Sequence, residues 1–104
     1  MTVAVHTTPE ADAMIVRASG WWNEHRAAAP HLFDRELAAA IELLARAPDI
    51  GRRYRRRNIP GLRRFLLLRT RYHVYDFHDA TRSFVTVLAV WSAVRGRGPS
   101  LKLP

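Results

Sequence analysis

Two histidines and two aspartates in the second half of the chain form its densest group of potentially catalytic or metal-binding side chains. His73, Asp76, His78 and Asp79 give the pattern H-x-x-D-x-H-D, and imidazole and carboxylate groups both bind metals and transfer protons. In an extended strand, however, His73 and His78 point to opposite faces, as do the two aspartates. We therefore predict no metal site and no cofactor, and we assign Asp79 to a turn.

Other patterns typical of enzymes are missing from the sequence. The chain has no cysteine, which excludes disulfides, thiol catalysis and cysteine-ligated zinc sites. Ser83, Ser92 and Ser100 lack the G-x-S-x-G setting of a hydrolase nucleophile. The sequence predicts that the protein is not an enzyme, and His73 is the single candidate for a catalytic residue under the alternative.

A stretch of arginines around one tyrosine favours a binding function. Residues 52–57 read RRYRRR, and arginines interleaved with aromatic residues, here Tyr54, Tyr72 and Tyr75, are typical of surfaces that bind phosphates and stack bases. The alternative is that alternate arginines protect an exposed edge strand from pairing with another chain. These arginines are Arg53, Arg55 and Arg57. Both interpretations stay open for this stretch.

The charge of the chain is unevenly distributed. Its 104 residues include 17 lysines and arginines and 9 acidic residues, a net charge of +8. Residues 1–50 hold four arginines and seven acidic residues, a net of −3, whereas residues 51–104 hold thirteen basic and two acidic residues, a net of +11. Such asymmetry indicates an anionic partner, and arginine suits bidentate contacts with phosphate or carboxylate groups.

Length and composition predict one soluble, cytoplasmic domain. A chain of 104 residues with 48% apolar side chains can form a single core, and its longest apolar runs are too short to cross a membrane. We expect the domain to span residues 1–95. Residues 96–104 contain two glycines and two basic residues, and we expect them to form a flexible basic tail.

Two amphipathic helices are predicted to follow a short first strand at residues 3–5. Thr8 and Pro9 are typical of a helix start, and apolar residues then recur at helical spacing over residues 11–22. After a proline, the same spacing resumes over residues 33–44. The short break predicts two antiparallel helices that lie side by side.

The remaining segments are predicted to be strands, because they are rich in branched and aromatic residues and are separated by short turns. They are residues 52–57, 62–69, 72–78 and 83–91. The chain is therefore predicted to be α+β, with an N-terminal strand and a helical hairpin packed on a small, mostly antiparallel sheet.

The last predicted strand is apolar on both faces. By simple alternation Phe84, Thr86, Leu88 and Val90 point one way, and Val85, Val87, Ala89 and Trp91 point the other. One face belongs to the helices, and an exposed apolar patch on the other indicates a binding surface. The alternative is that the C-terminal segment folds back over this patch.

Four short segments, in order, resemble the RelE/ParE toxin superfamily of bacterial type II toxin–antitoxin systems, and in particular its ParE branch. They are Pro48-x-x-Gly51, the IPGLR of residues 59–63, the YHVY of residues 72–75 and the VLAVWSAVR of residues 87–95. The resemblance covers about residues 3–95. It implies a β-α-α-β-β-β core, a hetero-oligomeric complex with a cognate acidic, ParD-like antitoxin, and growth arrest by the free toxin.

The two branches of the superfamily differ in target. RelE-like toxins cleave messenger RNA on the ribosome, whereas ParE-like toxins inhibit DNA gyrase. The RelE pattern has an arginine on the sheet, an arginine just after the last strand and a terminal tyrosine, which correspond here to His73, Ala93 and Pro99. The resemblance therefore favours a ParE-like gyrase inhibitor, with RelE-like RNA cleavage as the alternative. The chain departs from the ParE pattern at Ser92, where histidine is usual, and at Asp76, where an aromatic residue is usual.

The resemblance, with the charge and apolar patterns, nominates two sets of binding residues. For contact with the target, gyrase with its DNA, the set is Arg63, Trp91, Arg95 and Arg97. For antitoxin docking the set is Trp21, Phe33, Arg53, Arg55 and Arg57. A third hypothesis, a plain nucleic-acid-binding module, predicts salt-sensitive binding and no growth arrest.

Overall fold

Two helices pack on one face of a five-stranded sheet in the computed structural model, which describes residues 2–56 and 58–103. The elements in chain order are β1 (Ala4–Thr7), α1 (Pro9–His25), α2 (Leu32–Arg46), β2 (Arg52–Arg53), β3 (Leu62–Leu66), β4 (Tyr72–Asp79) and β5 (Phe84–Ser92). The strand order across the sheet is β1-β5-β4-β3-β2. The β1–β5 pair is parallel and the other three pairs are antiparallel. The predicted α+β class and β-α-α-β-β-β core are confirmed, and the two-residue β2 adds a further strand at the edge of the sheet.

Helix α1 begins where the capping residues predict. The Thr8 backbone is extended, and its hydroxyl oxygen accepts a hydrogen bond from the Ala11 amide at 3.0 Å. Pro9 occupies the first turn, where a missing N–H costs no hydrogen bond. This cap starts the helix directly after β1, so that Ala11, Ala18 and Trp22 turn their buried sides to the sheet.

Helix α2 supplies most of the remaining core against the sheet. Phe33, Leu37 and Leu44 are all buried on one stripe of this helix. The Glu36 carboxylate fixes the helix to the turn between β3 and β4, because it accepts hydrogen bonds from the Arg69 and Thr70 amides at 2.8 and 2.9 Å. The Thr70 hydroxyl donates a third, at 2.6 Å.

Strand β2 is shorter than predicted. The sequence predicts a strand over residues 52–57, but only Arg52 and Arg53 pair with β3. Residues 54–56 leave the sheet, and the Tyr54 amide makes one further hydrogen bond to the Leu62 carbonyl oxygen at 3.0 Å. Arg57 lies outside the described residues. The edge-strand interpretation of this stretch therefore applies to two residues.

A β-bulge in β5 overturns the simple alternation predicted for that strand. Tyr75 pairs with Ala89 but Asp76 pairs with Val87, so Leu88 is the extra residue. The insertion shifts the facing of later residues, and Val90 joins Val85 and Val87 against the helices instead of facing away from them. The sequence pattern cannot show this, because both possible faces of the strand are apolar.

The sheet consequently has two different faces. On the helix-covered face, Val74, Val85, Val87 and Val90 pack against the buried sides of α1 and α2. On the second face, Leu62, Tyr75, Leu88 and Ala89 form a separate buried cluster with Ile59. Neither helix in the described part of the chain is both long and apolar enough to cross a membrane.

Candidate functional site

Two arginines and two tyrosines interlock on the second face of the sheet. The guanidinium carbon of Arg64 lies 4.5 Å from the ring centre of Tyr54 and 5.9 Å from that of Tyr75. The Arg56 guanidinium carbon lies 5.3 Å from the Tyr54 ring, and the two tyrosine rings meet edge to face at 5.3 Å. We call Tyr54, Arg56, Arg64 and Tyr75 the arginine–tyrosine cluster. Cation–π contacts hold both guanidinium groups in place.

His73 lies beside this cluster on the same face. Its ring centre is 6.0 Å from that of Tyr75, and its cross-strand partners are Leu66 and Trp91. Burial lowers the pKa of His73, and the nearby Arg64 charge lowers it further. The imidazole is therefore mainly neutral at pH 7, and it could accept a proton but is a poor donor of one.

Arg63, in the predicted target set, lies on the opposite face from His73 and Trp91. Leu62 is buried on the second face, so alternation turns Arg63 toward the helix layer. There its Nη1 donates to the Gly51 carbonyl oxygen at 2.8 Å, and its Nε lies 3.7 Å from the Asp49 carboxylate. Arg64 occupies the position on the second face instead, and the apolar Leu62 was the signal that could have identified it.

Asp76 is fully buried on the helix-covered face, across from Arg63. Among the described residues neither of its carboxyl oxygens accepts a hydrogen bond. Burial raises the pKa of Asp76 to about 7, an effect that Arg63 opposes and Asp49 reinforces. The carboxyl group is thus separated by the sheet from His73 and cannot act with it as an acid–base pair.

The segment after β5 folds back over the second face. The Trp91 indole Nε1 donates to the Arg97 carbonyl oxygen at 2.8 Å, Pro99 is buried, and Leu101 packs against the buried cluster of that face. This position matches the alternative considered from the sequence, in which the C-terminal segment covers the apolar patch. The predicted flexibility of residues 96–104 stays a prediction.

A wide groove runs between α1 and the end of the sheet where β4 begins and β5 ends. It has a volume of about 850 Å³ and an apolar floor that includes Met14, Trp22 and Val90. Five arginines lie at the rim of the groove. The basic residues on the rim are Arg17, Arg26, Arg69, Arg71 and Arg95.

Trp21 and Trp91 line this groove and carry charged neighbours on their rings. The Trp21 ring stacks on His25 at 4.6 Å and has the Arg26 guanidinium carbon at 5.2 Å. The Arg95 guanidinium carbon lies 4.4 Å from the Trp91 ring. The groove therefore combines an apolar floor with arginines that aromatic rings hold in position.

No protein-family model and no curated protein matches the sequence. Solved structures of toxins and toxin–antitoxin complexes do match in fold. The ParDE system of P. aeruginosa aligns with a TM-score of 0.66 and 13% identity, over 88% of this chain and 96% of that one. The RelBE2 toxin–antitoxin complex of Mycobacterium tuberculosis aligns with a TM-score of 0.59 and 23% identity, over 88% and 99%.

The third structure is a mutant of the E. coli toxin RelE in the free state, with a TM-score of 0.55 and 16% identity over 90% of this chain and 86% of that one. The chain has the RelE/ParE toxin fold. The resemblance predicted from the sequence is thereby confirmed at the level of the fold. Both branches occur among these structures, so the fold alone does not choose between them.

Within this toxin fold, the two predicted binding sets are not spatially separate. Trp91 and Arg95, from the target set, line the same groove as Trp21 from the antitoxin set. Arg97 is exposed on the returning C-terminal segment. The roles of these four residues stay predictions.

The other predicted antitoxin residues lie in different environments of the toxin fold. Phe33 is only 1% exposed and meets the Tyr72 ring edge to face at 4.9 Å, so it belongs to the core and offers no surface to a partner. Its place on the apolar stripe of α2 explains this burial. Arg53 and Arg55 are exposed and line a shallow pocket of about 410 Å³ with Ile59 and Leu62.

Over residues 2–56 and 58–103, no three histidine, aspartate or glutamate side chains come close enough together to hold a metal ion. His78 illustrates why the side chains of the H-x-x-D-x-H-D pattern do not lie together in space. Its Nδ1 lies 3.2 Å from Asp49, a residue outside the pattern, whereas His73 faces the arginine–tyrosine cluster.

Proposed function

We propose that this protein is the toxin of a type II toxin–antitoxin pair, that it acts in the cytoplasm by inhibiting DNA gyrase, and that a cognate acidic antitoxin neutralises it. The observation that carries the proposal is the make-up of the second face. Around the arginine–tyrosine cluster and Trp91, that face presents arginines held by aromatic rings beside the His73 imidazole. His6 and Asp79 lie on the same face at the other end of β5, next to Phe84. Such a surface is suited to binding an anionic macromolecule.

The charge distribution supports an acidic partner. Arg56, Arg64 and Arg95 lie on or beside the second face, and each contacts an aromatic ring at 5.3 Å or less. Rings on which arginines already lie offer little free surface for stacking bases, whereas the guanidinium edges can still bind carboxylates or phosphates. An acidic antitoxin and the phosphate backbone of gyrase-bound DNA both meet this requirement.

The absence of an acid–base pair supports inhibition by binding. Cleavage of a phosphodiester by proton transfer needs one group to accept a proton and another to donate one. His73 can serve as the acceptor, but Asp76 lies on the other side of the sheet, and Tyr75 is 2% exposed beneath the C-terminal segment. The second face therefore favours a ParE-like activity.

The direct test is to add purified protein to a gyrase supercoiling assay and, in parallel, to ribosomes translating a defined message. We expect supercoiling to fall and cleaved DNA to accumulate while the message stays intact. Arg64→Glu should weaken the inhibition at least tenfold. Arg82→Glu is the matched control, because Arg82 lies in the exposed turn between β4 and β5 beside Asp79, at the opposite end of β5 from Trp91. Message cleavage with unaffected supercoiling would contradict the proposal.

A ribosome-dependent ribonuclease is the second candidate, and one arrangement favours it. His73, Tyr75 and Arg64 lie together on the second face, and a neutral imidazole beside a guanidinium could act on RNA. This candidate predicts that His73→Ala abolishes message cleavage. If His73→Ala leaves toxicity unchanged, this candidate is excluded.

A further inference from the structure

We propose that two carboxyl groups compete for Arg63, and that ionisation of the buried one, Asp76, draws the guanidinium group away from the loop after α2 and loosens β2 from the sheet. The position of the arginine-bearing residues 52–56 is then sensitive to pH. This sensitivity is independent of the proposed target, because Arg63 and Asp76 lie on the helix-covered face.

Arg63 ties the loop between α2 and β2 to the sheet. Its Nη1 donates to the Gly51 carbonyl oxygen at 2.8 Å, and its Nε lies 3.7 Å from the Asp49 carboxylate. Gly51 is buried close against β3, because a Cβ built on it would lie 3.1 Å from the Arg63 Cβ atom and 3.1 Å from the Arg64 carbonyl oxygen. The loop is therefore attached by a close backbone approach that suits glycine and by the guanidinium group of Arg63.

Strand β2 contributes little to its own attachment. It consists of Arg52 and Arg53, and both side chains are exposed. Directly after it, the Tyr54 amide donates to the Leu62 carbonyl oxygen at 3.0 Å, and Tyr54 belongs to the arginine–tyrosine cluster. A two-residue strand without buried side chains opens easily, so loss of the Arg63 contact should increase the motion of the whole segment.

Asp76 is placed to compete with this loop for Arg63. The two residues pair across β3 and β4, so their side chains leave the sheet on one face with Cβ atoms about 5 Å apart. Asp76 is fully buried, and within the described part of the chain its oxygens have no hydrogen-bond partner. A neutral carboxyl group tolerates such a site far better than a carboxylate, which needs an opposite charge or hydrogen-bond donors.

The other groups around Asp76 leave Arg63 as the cation opposite it. His78 lies two residues further along β4 on the same face, but its Nδ1 is 3.2 Å from Asp49. On β5 the residue paired with Asp76 is the apolar Val87. Among the described residues, the charged side chains of α1 are exposed, and those of α2 are exposed or bound to groups other than Asp76.

The direction of the pH effect is set by the buried group. Burial raises the pKa of Asp76 to about 7, so in mildly acidic solution its carboxyl group is neutral and Arg63 stays on the loop. At higher pH the carboxylate attracts the guanidinium group. The attachment of β2 is therefore complete at acidic pH and weakens as the pH rises through about 7.

A spin label on β2 of the full chain tests this directly. The sequence has no cysteine, so Arg53→Cys gives a single labelling site on an exposed residue. We expect the mobile fraction in the electron paramagnetic resonance spectrum to rise at least about threefold between pH 5 and pH 8. A label at Arg82→Cys, in the turn between β4 and β5, is the control and should not respond.

Four variants in the labelled background separate the groups involved. Asp76→Asn is neutral at every pH and should keep the label immobile at pH 8. Arg63→Gln removes the guanidinium group, and Gly51→Ala pushes the loop away from β3, so both should give a mobile label at pH 5 as well. His78→Gln is the matched control, because it removes the other titratable side chain of β4 on this face and should leave the pH response intact.

Three outcomes would overturn the proposal. The first is a label on β2 whose mobility is the same at pH 5 and pH 8. The second is a pH response that persists in Asp76→Asn or disappears in His78→Gln. The third is an immobile label at pH 5 in Arg63→Gln, which would show that Arg63 does not hold the loop. Circular dichroism at both pH values checks that each variant is folded. Because the label reports motion of β2, a protein that leaves gyrase untouched would contradict the proposed function and leave this inference standing.

Discussion

The two faces of the sheet are built from the same strands but are covered in different ways. Apolar side chains of α1 and α2 cover one face, on which Asp76 is fully buried. Arginines, tyrosines and the segment after β5 cover the second face. A packed helical layer makes a permanent core, whereas a cationic surface under a short segment can be uncovered. The second face is therefore the one available for binding.

The largest expected effect tests whether Phe33 belongs to the covered face. Phe33→Ala should lower the free energy of unfolding by about 3–5 kcal/mol, because it leaves a cavity beside Tyr72. Trp21→Ala, at a residue 42% exposed, should cost less than about 1 kcal/mol. Urea denaturation measures both. Equal stability of Phe33→Ala and the wild type would place Phe33 at the surface and would contradict its burial on the helix-covered face.

The next effect concerns the buried carboxyl group of the covered face. Since the pKa of the Asp76 carboxyl group is raised from 3.8 to about 7 on folding, the folded protein binds the carboxyl proton more tightly than the unfolded chain does. The stability contributed by neutral Asp76 is therefore complete below about pH 4 and is lost as the pH rises to about 7. Asp76→Asn removes this charge.

We expect Asp76→Asn to match the wild type at pH 4 and to exceed its free energy of unfolding by about 2–4 kcal/mol at pH 8. Denaturation at several pH values tests this, with Glu42→Gln at an exposed carboxylate in the middle of α2 as the control. A difference that does not depend on pH would show that Asp76 is accessible to water, and it would weaken the contrast between the faces.

The smallest effect tests how the helical layer is attached to the sheet. Burial raises the pKa of Glu36, but the hydrogen bonds from Thr70 and Arg69 lower it more, so the net pKa lies below 4.5. Glu36→Gln should cost about 1–2 kcal/mol at neutral pH. Because the contribution is lost as the pH falls through the folded-state pKa, the cost should shrink as the pH falls below 4.5. An unchanged free energy of unfolding at pH 7 would contradict this role.

Local chemistry was predictable from the sequence wherever it acts within a few residues. Thr8 and Pro9 predict the start of α1, and the proline break predicts the helical hairpin, because capping and periodicity depend on near neighbours. The pairing register of the strands was less predictable. The bulge at Leu88 depends on pairing with β4, and it reverses the facing of Val90.

The candidate site was predictable in composition but not in arrangement. The sequence indicates the arginines, Tyr54, Tyr72 and Tyr75 as binding residues, but Tyr72 packs against Phe33 on the helix-covered face. Arg63, in the predicted target set, also faces the helices, and the neighbouring Arg64 lies on the second face. Phe33 is in the predicted antitoxin set, although its helical spacing already places it on the buried stripe of α2. The path of the segment after β5 over the arginine–tyrosine cluster depends on the tertiary packing of Pro99 and Leu101. The sequence has no periodic signal for this packing.

Growth arrest on expression of two single variants tests most directly whether the second face acts by binding or by catalysis. If the face binds, Arg64→Glu should lose the arrest shown by the wild type, and His73→Ala should retain it. Arrest that persists in Arg64→Glu and disappears in His73→Ala would contradict this account.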